Sequence, residues 1–321
     1  MNRPALLWGL ILLAAGFAIQ LSGTLVAFVI ATYSIREAME WSWRVVFPVG
    51  LLTLAGLCLI FVELFLLLPR KRVDHWVKYD PPANRELTVA LTAYNDEASI
   101  GKAVADFTSH PLVKRVLVVD NNSTDETTRE AVAAGALLVR EERQGYGHCV
   151  HRALSEACKF EDTELLVLCE GDLTFRAMDI DKLMSYIPHA EIVNGTRIVE
   201  QLRSWHTQLT TFMFYGNFAV GKLLEVKHIG QGTFTDVGTT YKLCRTAAVR
   251  KLLPHLNPAV NLEFNAHFLD RALDHLVPIV ECPITFYERV GVSKGGNASN
   301  YRALMVGLRM IRGILFGWKK A

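Results

Sequence analysis

Three consecutive residues in the middle of the 321-residue chain, Glu170-Gly171-Asp172, have the types and spacing to grip a cation. They close a short apolar run, Leu165 to Cys169, which reads as a buried strand. Side chains alternate along a strand, so Glu170 and Asp172 point the same way. Gly171 lets the backbone turn sharply between them. Two oxygen-bearing side chains converging at the mouth of a strand suit a hard divalent cation. In an open parallel sheet that mouth is where ligands bind. An acid–X–acid triplet alone is equally an ordinary turn after a strand.

The elements around the triplet must supply such a sheet. Leu87–Thr92 and Val113–Val119 read as strands, as does the shorter Ala136–Val139. Helical patterns fill the gaps: Glu97–Phe107, after the capping candidates Asn95 and Asp96; a segment from near Thr124 to Ala134; and Gly147–Cys158. Strands and helices alternating across short loops imply an α/β domain with a mainly parallel sheet flanked by helices. A net charge of +2 gives no electrostatic case for a nucleic-acid partner. The six cysteines show no paired spacing and sit mostly in apolar runs, as reduced core thiols would.

The first seventy residues differ in kind. Ala5 to Thr32 contains no charged residue and Val45 to Leu68 contains only Glu63. Each exceeds the roughly 20 apolar residues that cross a bilayer, so residues 1–72 read as a two-span hairpin, retained as an anchor. Arg3 before it and Arg70, Lys71 and Arg72 after it place both termini, and the domain that follows, in the cytosol by the positive-inside bias. Glu63 is expected to pair within the hairpin or with a neighbouring subunit, and a homo-oligomer stays open. Residues 73–86 form a polar, Pro-containing linker. At the other end, residues 300–321 carry Leu304, Leu308, Ile311 and Leu315 at helical spacing among five basic residues. This basic amphipathic pattern predicts a membrane-interface helix, with a helix packed on the domain as the alternative.

Seven stretches in order then resemble the family 2 glycosyltransferases of GT-A-type fold: LTAYNDEASIG (91–101), VLVVDNNSTDET (116–127), RQGYGHC (143–149), LCEGD (168–172), NGTR (194–197), TDVGTTYKLCR (235–245) and ERVGVSKGG (288–296). The likeness is nearest to the branch that makes polyprenol- and dolichol-phosphate sugars. It implies a Rossmann-like catalytic domain at 87–299 and an inverting transfer from a UDP- or GDP-sugar to a lipid, expected to be polyprenyl phosphate, at the cytosolic face of the membrane (the plasma membrane if the source is bacterial).

The resemblance also assigns residues. Mg²⁺ or Mn²⁺ would be held by Asp172 and Glu170. The donor would be read by Tyr94, Glu97, Asp120, Gly145, Gly147, Glu170 and Arg197. Asp236 would stand near the acceptor with Lys242 and Arg245. Asp236 is either a base for a hydroxyl acceptor or an orienter. An acceptor phosphate is already ionised near neutrality and needs cations, for which Arg197, Arg245, Arg289 and Lys294 are the candidates. Three positions depart from the family pattern: Glu170 for Asp, Tyr146 for a frequent Lys, and Thr240 for a common Gly. The readings left open are a lipid-hydroxyl acceptor, such as diacylglycerol or a lipid-linked saccharide, and a silent nucleotide-sugar-binding membrane protein.

Overall fold

The structure, a computed structural model, describes residues 5–67, 77–291 and 299–318. The chain divides into two compact units, Met1–His75 with Val226–Gly230, and Trp76–Glu225 with Gln231–Ala321. The first contains two helices, α1 (Ala5–Ala31) and α2 (Ile35–Phe61), joined by a tight turn. The Ser34 hydroxyl caps α2 by accepting the Glu37 N–H. Gly9, Gly16 and Gly23 recur every seventh residue along α1. A Cβ at each would come within 2.7 Å of Gly56 O, 2.7 Å of Thr53 Oγ1 and 2.6 Å of Val45 Cγ1, respectively. Small residues therefore let the two backbones approach, as in membrane helix pairs. Past α2, a π-helical turn (Val62–Leu67) carries Glu63, whose carboxylate accepts the Ala5 N–H at 2.7 Å. That donor is one of those a helix start leaves unpaired, so Glu63 finds a partner within the hairpin. Only 11% and 12% of the most apolar windows of the two helices is buried, whereas a soluble core helix would be mostly buried; both are long and apolar enough to cross a membrane.

The second unit holds seven strands: β1 (Leu87–Ala93), β2 (Val113–Asp120), β3 (Leu137–Arg140), β4 (Leu165–Glu170), β5 (Ile192–Thr196), β6 (Lys242–Arg245) and β7 (Ile279–Pro283). They lie in the order β3-β2-β1-β4-β6-β5-β7. Every residue of β1 is buried, because helices cover both faces of the sheet. On one face Ala90, Leu117, Leu166 and Leu168 meet a core that includes α5 (Tyr146–Ala157) and α9 (Phe264–Asp274). Their sequence neighbours Val89, Leu91, Val118 and Val167 meet the other core, with α3 (Ile100–Thr108) and α6 (Ile180–Tyr186). The remaining helices are α4 (Thr127–Ala133), α7 (Thr211–Lys227), α8 (Thr246–Leu252) and α10 (Asn300–Phe316).

The chain lays down β1, β2 and β3 outward, then returns to place β4 on the other side of β1, parallel to it. This reversal of strand order is the crevice in which open α/β sheets bind ligands. The register sets Ala93 beside Asp120 and Thr92 beside Glu170, so three strand ends open onto one edge. β6 runs antiparallel to both β4 and β5, which makes the sheet mixed but mainly parallel.

Two helices begin later than the sequence suggests. Residues before α3 form a turn in which Asp96 O accepts the N–H groups of Ser99 and Ile100. Before α4, the Asp125 carboxylate accepts the Thr127 N–H at 3.1 Å. The tail helix is docked along one face. α10 packs on its own unit through Val306, Met310, Gly313 and Ile314. Trp318 fixes its end by donating to Asp270 at 2.6 Å, and Arg309 pairs with Glu263. The alternative reading, a helix docked on the domain, is what this face shows.

Candidate active site

A cavity of about 700 Å³ opens at the carboxyl ends of β1 and β4. Charged residues line one end: Asp96, Glu170, Asp172, Arg197 and Arg289. Apolar residues of α7 and α10, including Phe212, Val220, Leu304, Leu308 and Ile311, line another part. Three of these five, Leu304, Leu308 and Ile311, belong to the tail stripe expected to face lipid.

Asp172 lies just past β4, 2% exposed. Its Oδ1 accepts the N–H and hydroxyl of Thr174, at 3.0 and 2.6 Å. Its Oδ2 accepts from Arg289 at 2.9 Å. Arg289 is delivered by a strand-like segment: the Tyr287 N–H binds Thr174 O and the Val290 N–H binds Asp172 O. The same guanidinium donates to Asp96 Oδ1 at 2.7 Å, so it bridges two carboxylates. Burial, and then the nearby Glu170 charge, push the Asp172 carboxyl up to about 6 against the pull of Arg289. This end of the cavity therefore gathers more negative charge than its own cation neutralises.

Glu170 is held differently. Its Oε1 accepts the Thr240 hydroxyl at 2.6 Å and the Tyr146 hydroxyl at 3.4 Å. Those two hydroxyls also contact each other. Asn265 Nδ2 donates to Tyr146 Oη, Thr240 Oγ1 and Gly238 O, at 3.0, 3.2 and 3.0 Å. The three departures from the family pattern, Tyr146, Glu170 and Thr240, thus form one network.

Arg197 follows β5 and is 6% exposed on the cavity wall. Its guanidinium meets Asp236 in a two-pronged pair, Nε to Oδ2 at 2.7 Å and Nη2 to Oδ1 at 2.9 Å. The backbone N–H groups of Arg197 and Gly238 complete the carboxylate's partners. Burial alone would raise the Asp236 pKa, but Arg197 and these N–H groups hold it below the ordinary carboxylate value. Asp236 is fully buried and is not on the cavity wall. Its structural part is to aim Arg197.

The other sequence candidates divide. Tyr94 and Gly145 line the cavity. Asp120 does not; both its oxygens accept the Ser123 N–H at 3.2 Å, and its neighbour Asn121 takes the wall position. Asn121 also clamps the 141–145 loop, donating to Glu141 O and Arg143 O and accepting the Gly145 N–H. Glu97 is off the cavity and caps the next helix by accepting the Glu126 N–H at 3.0 Å. Gly147 is corrected as a donor-binding residue. A Cβ there would collide with the carbonyl oxygens of Val260 and Pro258, so the glycine serves close packing. The Tyr146 N–H at the start of α5 is taken by Asn261 at 2.7 Å. Gly147→Ala is expected to destabilise the unit by about 1–3 kcal/mol, read as a lowered melting temperature without a change in KM for the donor.

Lys242 and Arg245 are also corrected. Lys242 opens β6 fully buried, with Nζ donating to Thr239 O and lying 5.9 Å from the Phe268 ring centroid. Burial pushes its ammonium down to about 8. Because β6 is antiparallel, Arg245 pairs with Leu165 at the opposite end of β4 from Glu170. At about 3.3 Å per residue the separation is roughly 16 Å. Arg245 instead contacts Asp80 and Glu191. Arg245→Ala is expected to leave kcat/KM for transfer within about twofold; a loss beyond tenfold with unchanged melting would restore it to the site. Lys294 lies outside the described residues, as do Arg3, Arg70, Lys71 and Arg72 of the topology argument.

The sequence reading missed Asp96 and Asn265 as wall residues. Asp96 reads as a helix cap, although its place after the first strand at the switch point is a signal for it. Asn265 lies in a helix that belongs to none of the seven motifs. With Asp96 added, three carboxylates line this end of the cavity, and Asp96 and Asp172, bridged by Arg289, are the hard oxygen ligands that would suit Mg²⁺ or Mn²⁺.

The description Glycosyl transferase family 2 matches residues 88–253, just over half of the chain. An uncharacterised glycosyltransferase of Mycobacterium tuberculosis is 36% identical over 116 residues, 36% of this chain and 50% of the relative. The chain thus spans about half the length of the mycobacterial relatives it matches. A dolichyl-phosphate hexose transferase of Haloferax volcanii is 27% identical over 65% of this chain and 86% of its own. A dodecaprenyl-phosphate galacturonate synthase of Rhizobium johnstonii is 24% identical over 70% and 66%. Among solved structures, glucosyl-3-phosphoglycerate synthase of M. tuberculosis with Mn²⁺, uridine diphosphate and phosphoglyceric acid aligns at TM-score 0.52 and 16% identity, over 74% of this chain and 81% of that one. This last likeness shows the GT-A fold.

Proposed function

We propose, from the premise that the chain belongs to glycosyl transferase family 2, that it moves one sugar from a nucleotide-diphosphate sugar to a lipid phosphate, with inversion at the anomeric carbon. The observation that carries this reading is a single cavity that joins a carboxylate–guanidinium end to an apolar wall. The charged end suits a diphosphate and its cation. The apolar wall suits the hydrocarbon of a polyprenyl acceptor. Relatives named for dolichyl- and dodecaprenyl-phosphate products support the same acceptor class.

In the reaction, the bond from the sugar's anomeric carbon to the donor phosphate oxygen breaks. An acceptor oxygen bonds the opposite face of that carbon, and a nucleoside diphosphate leaves. Asp172 and Asp96 would hold Mg²⁺ or Mn²⁺. A divalent cation there neutralises the charge that develops on the leaving diphosphate. Arg289 now bridges Asp96 and Asp172 and stands ready to contact the diphosphate. Arg197, aimed by Asp236, presents a fixed charge-assisted donor to a phosphate. A hydroxyl acceptor would need a general base, and the residue expected to serve, Asp236, is consumed by Arg197. An acceptor that arrives ionised needs no such group. The two apolar helices would anchor the enzyme in the membrane, with the catalytic unit in the cytosol.

The test is a thermal-shift screen of UDP- and GDP-sugars on the full chain in detergent, with and without Mn²⁺. At least one donor should raise the melting temperature, by more with Mn²⁺ than without. No shift with any donor would refute the nucleotide-sugar reading.

A further inference from the structure

We infer that Glu170, Tyr146 and Asn265, with Thr240 behind them holding Glu170, form the wall that reads the donor's sugar ring, and that this wall selects a neutral hexose over a hexuronate. The inference rests on the nucleotide-sugar reading above and names the sugar class.

Three observations carry it. First, every hydrogen bond to the Glu170 carboxylate among the described residues goes to one oxygen, Oε1, from Thr240 and Tyr146. The carboxylate is thereby locked in orientation, and Oε2 is left as an acceptor on a residue that lines the cavity. Second, Asn265, 4% exposed and also on the wall, spends its Nδ2 on three acceptors. Its Oδ1 is buried and meets no donor among the described residues. A buried polar atom without a partner is costly, and native sites supply the partner from a ligand or water. Third, both remaining atoms accept and neither donates. The chemistry they call for is a set of O–H donors, as a neutral hexose presents.

A hexuronate has a carboxylate where the hexose carries its C6 hydroxyl. That removes a donor and adds a negative charge. On the cavity wall Asp96, Glu170 and Asp172 already outnumber the guanidiniums of Arg197, which Asp236 holds, and Arg289. Both guanidiniums are tied to those acids. At the sugar wall itself Glu170 would repel a further carboxylate. Glu170 is one methylene longer than Asp, and Thr240 supplies a hydroxyl that Gly lacks. The network is therefore built to hold this particular acid in place.

The test measures transfer to polyprenyl phosphate by the full-length protein in lipid nanodiscs with Mn²⁺, and calorimetric binding without acceptor. The donors are UDP-glucose, UDP-galactose, GDP-mannose, UDP-glucuronate and UDP-galacturonate. The best neutral donor should exceed its hexuronate counterpart by at least about 100-fold in kcat/KM, in keeping with sites whose polar groups must be paired. Glu170→Gln keeps an acceptor oxygen and removes the charge, so that ratio should fall at least about tenfold, with Mn²⁺ affinity little changed. Tyr146→Phe, which removes one of the two locking hydroxyls, should lower the ratio in the same direction and serves if Glu170→Gln does not fold. A hexuronate used as well as its hexose would overturn the inference. So would a Glu170→Gln protein that loses Mn²⁺ affinity and all donors equally, because Glu170 would then be a metal ligand. Absence of both binding and transfer with every donor would instead refute the nucleotide-sugar reading, and this inference with it.

Discussion

Asp172→Ala is expected to lower sugar transfer by about 10²–10³-fold, the loss typical of removing one preorganised charge-stabilising group. The side chain sits at the hinge of three contacts: the Thr174 N–H and hydroxyl hold Oδ1, and Arg289 holds Oδ2. Removing it takes away the best-placed oxygen ligand and leaves Arg289 with Asp96 as its carboxylate partner at the site. Two effects then combine: weaker cation binding and a misdirected guanidinium. They separate by titration. If Asp172 is a ligand, the Mn²⁺ concentration for half-maximal transfer rises sharply. If it only positions Arg289, that concentration is unchanged while KM for the donor rises. Thr174→Val removes one hydroxyl bond to the carboxylate and should cost far less, since the backbone N–H still orients it. Activity of Asp172→Ala within tenfold of the parent would remove Asp172 from the cation site.

Asp236→Asn is the second large effect, and it acts through Arg197. The pair is buried and two-pronged, with Arg197 6% exposed and Asp236 fully enclosed. Breaking such a pair by neutralising one partner costs about 3–5 kcal/mol, because the other charge is left buried and uncompensated. The variant should melt well below the parent and transfer about a hundredfold more slowly. The pH profile decides the role. A general base would contribute the acidic limb of kcat, and Asp236→Asn would abolish that limb. A residue that aims Arg197 leaves the limb in place and lowers the plateau. The second outcome is expected, since Arg197 and the Gly238 N–H hold the Asp236 pKa low and its carboxylate has no edge on the cavity.

Both predictions concern residues that the motifs had already marked, and the comparison shows what linear patterns carry. β1, β2 and β4 were legible because strands buried on both faces read as continuous apolar runs, and Glu170 and Asp172 because they end such a run at a switch point. What depends on strand direction was not legible. Lys242 and Arg245 follow Asp236 closely in sequence, yet antiparallel β6 carries them away from the cavity, to its core and to its far end. What depends on distant contacts was not legible either. Gly147 looked like part of a phosphate turn, and only the approach of Val260 and Pro258 reveals its packing role. The tail shows the same limit. Its helix carries two apolar faces, and the one that docks, Val306, Met310, Gly313 and Ile314, is offset from the stripe read as lipid-facing. Asn265 was invisible because a lone amide on an amphipathic helix carries no signal until Tyr146 and Thr240 are seen beside it.

The central claim is that one cavity brings a cation-bound sugar donor to an ionised lipid phosphate. Its most direct measurement is transfer of radiolabel from a nucleotide sugar to polyprenyl phosphate by the purified chain with Mn²⁺, followed by mild acid treatment of the extracted lipid. The account predicts labelled lipid that loses its sugar in mild acid, as a glycosyl phosphate does. Label that survives the acid would mean a sugar on a hydroxyl and would contradict it.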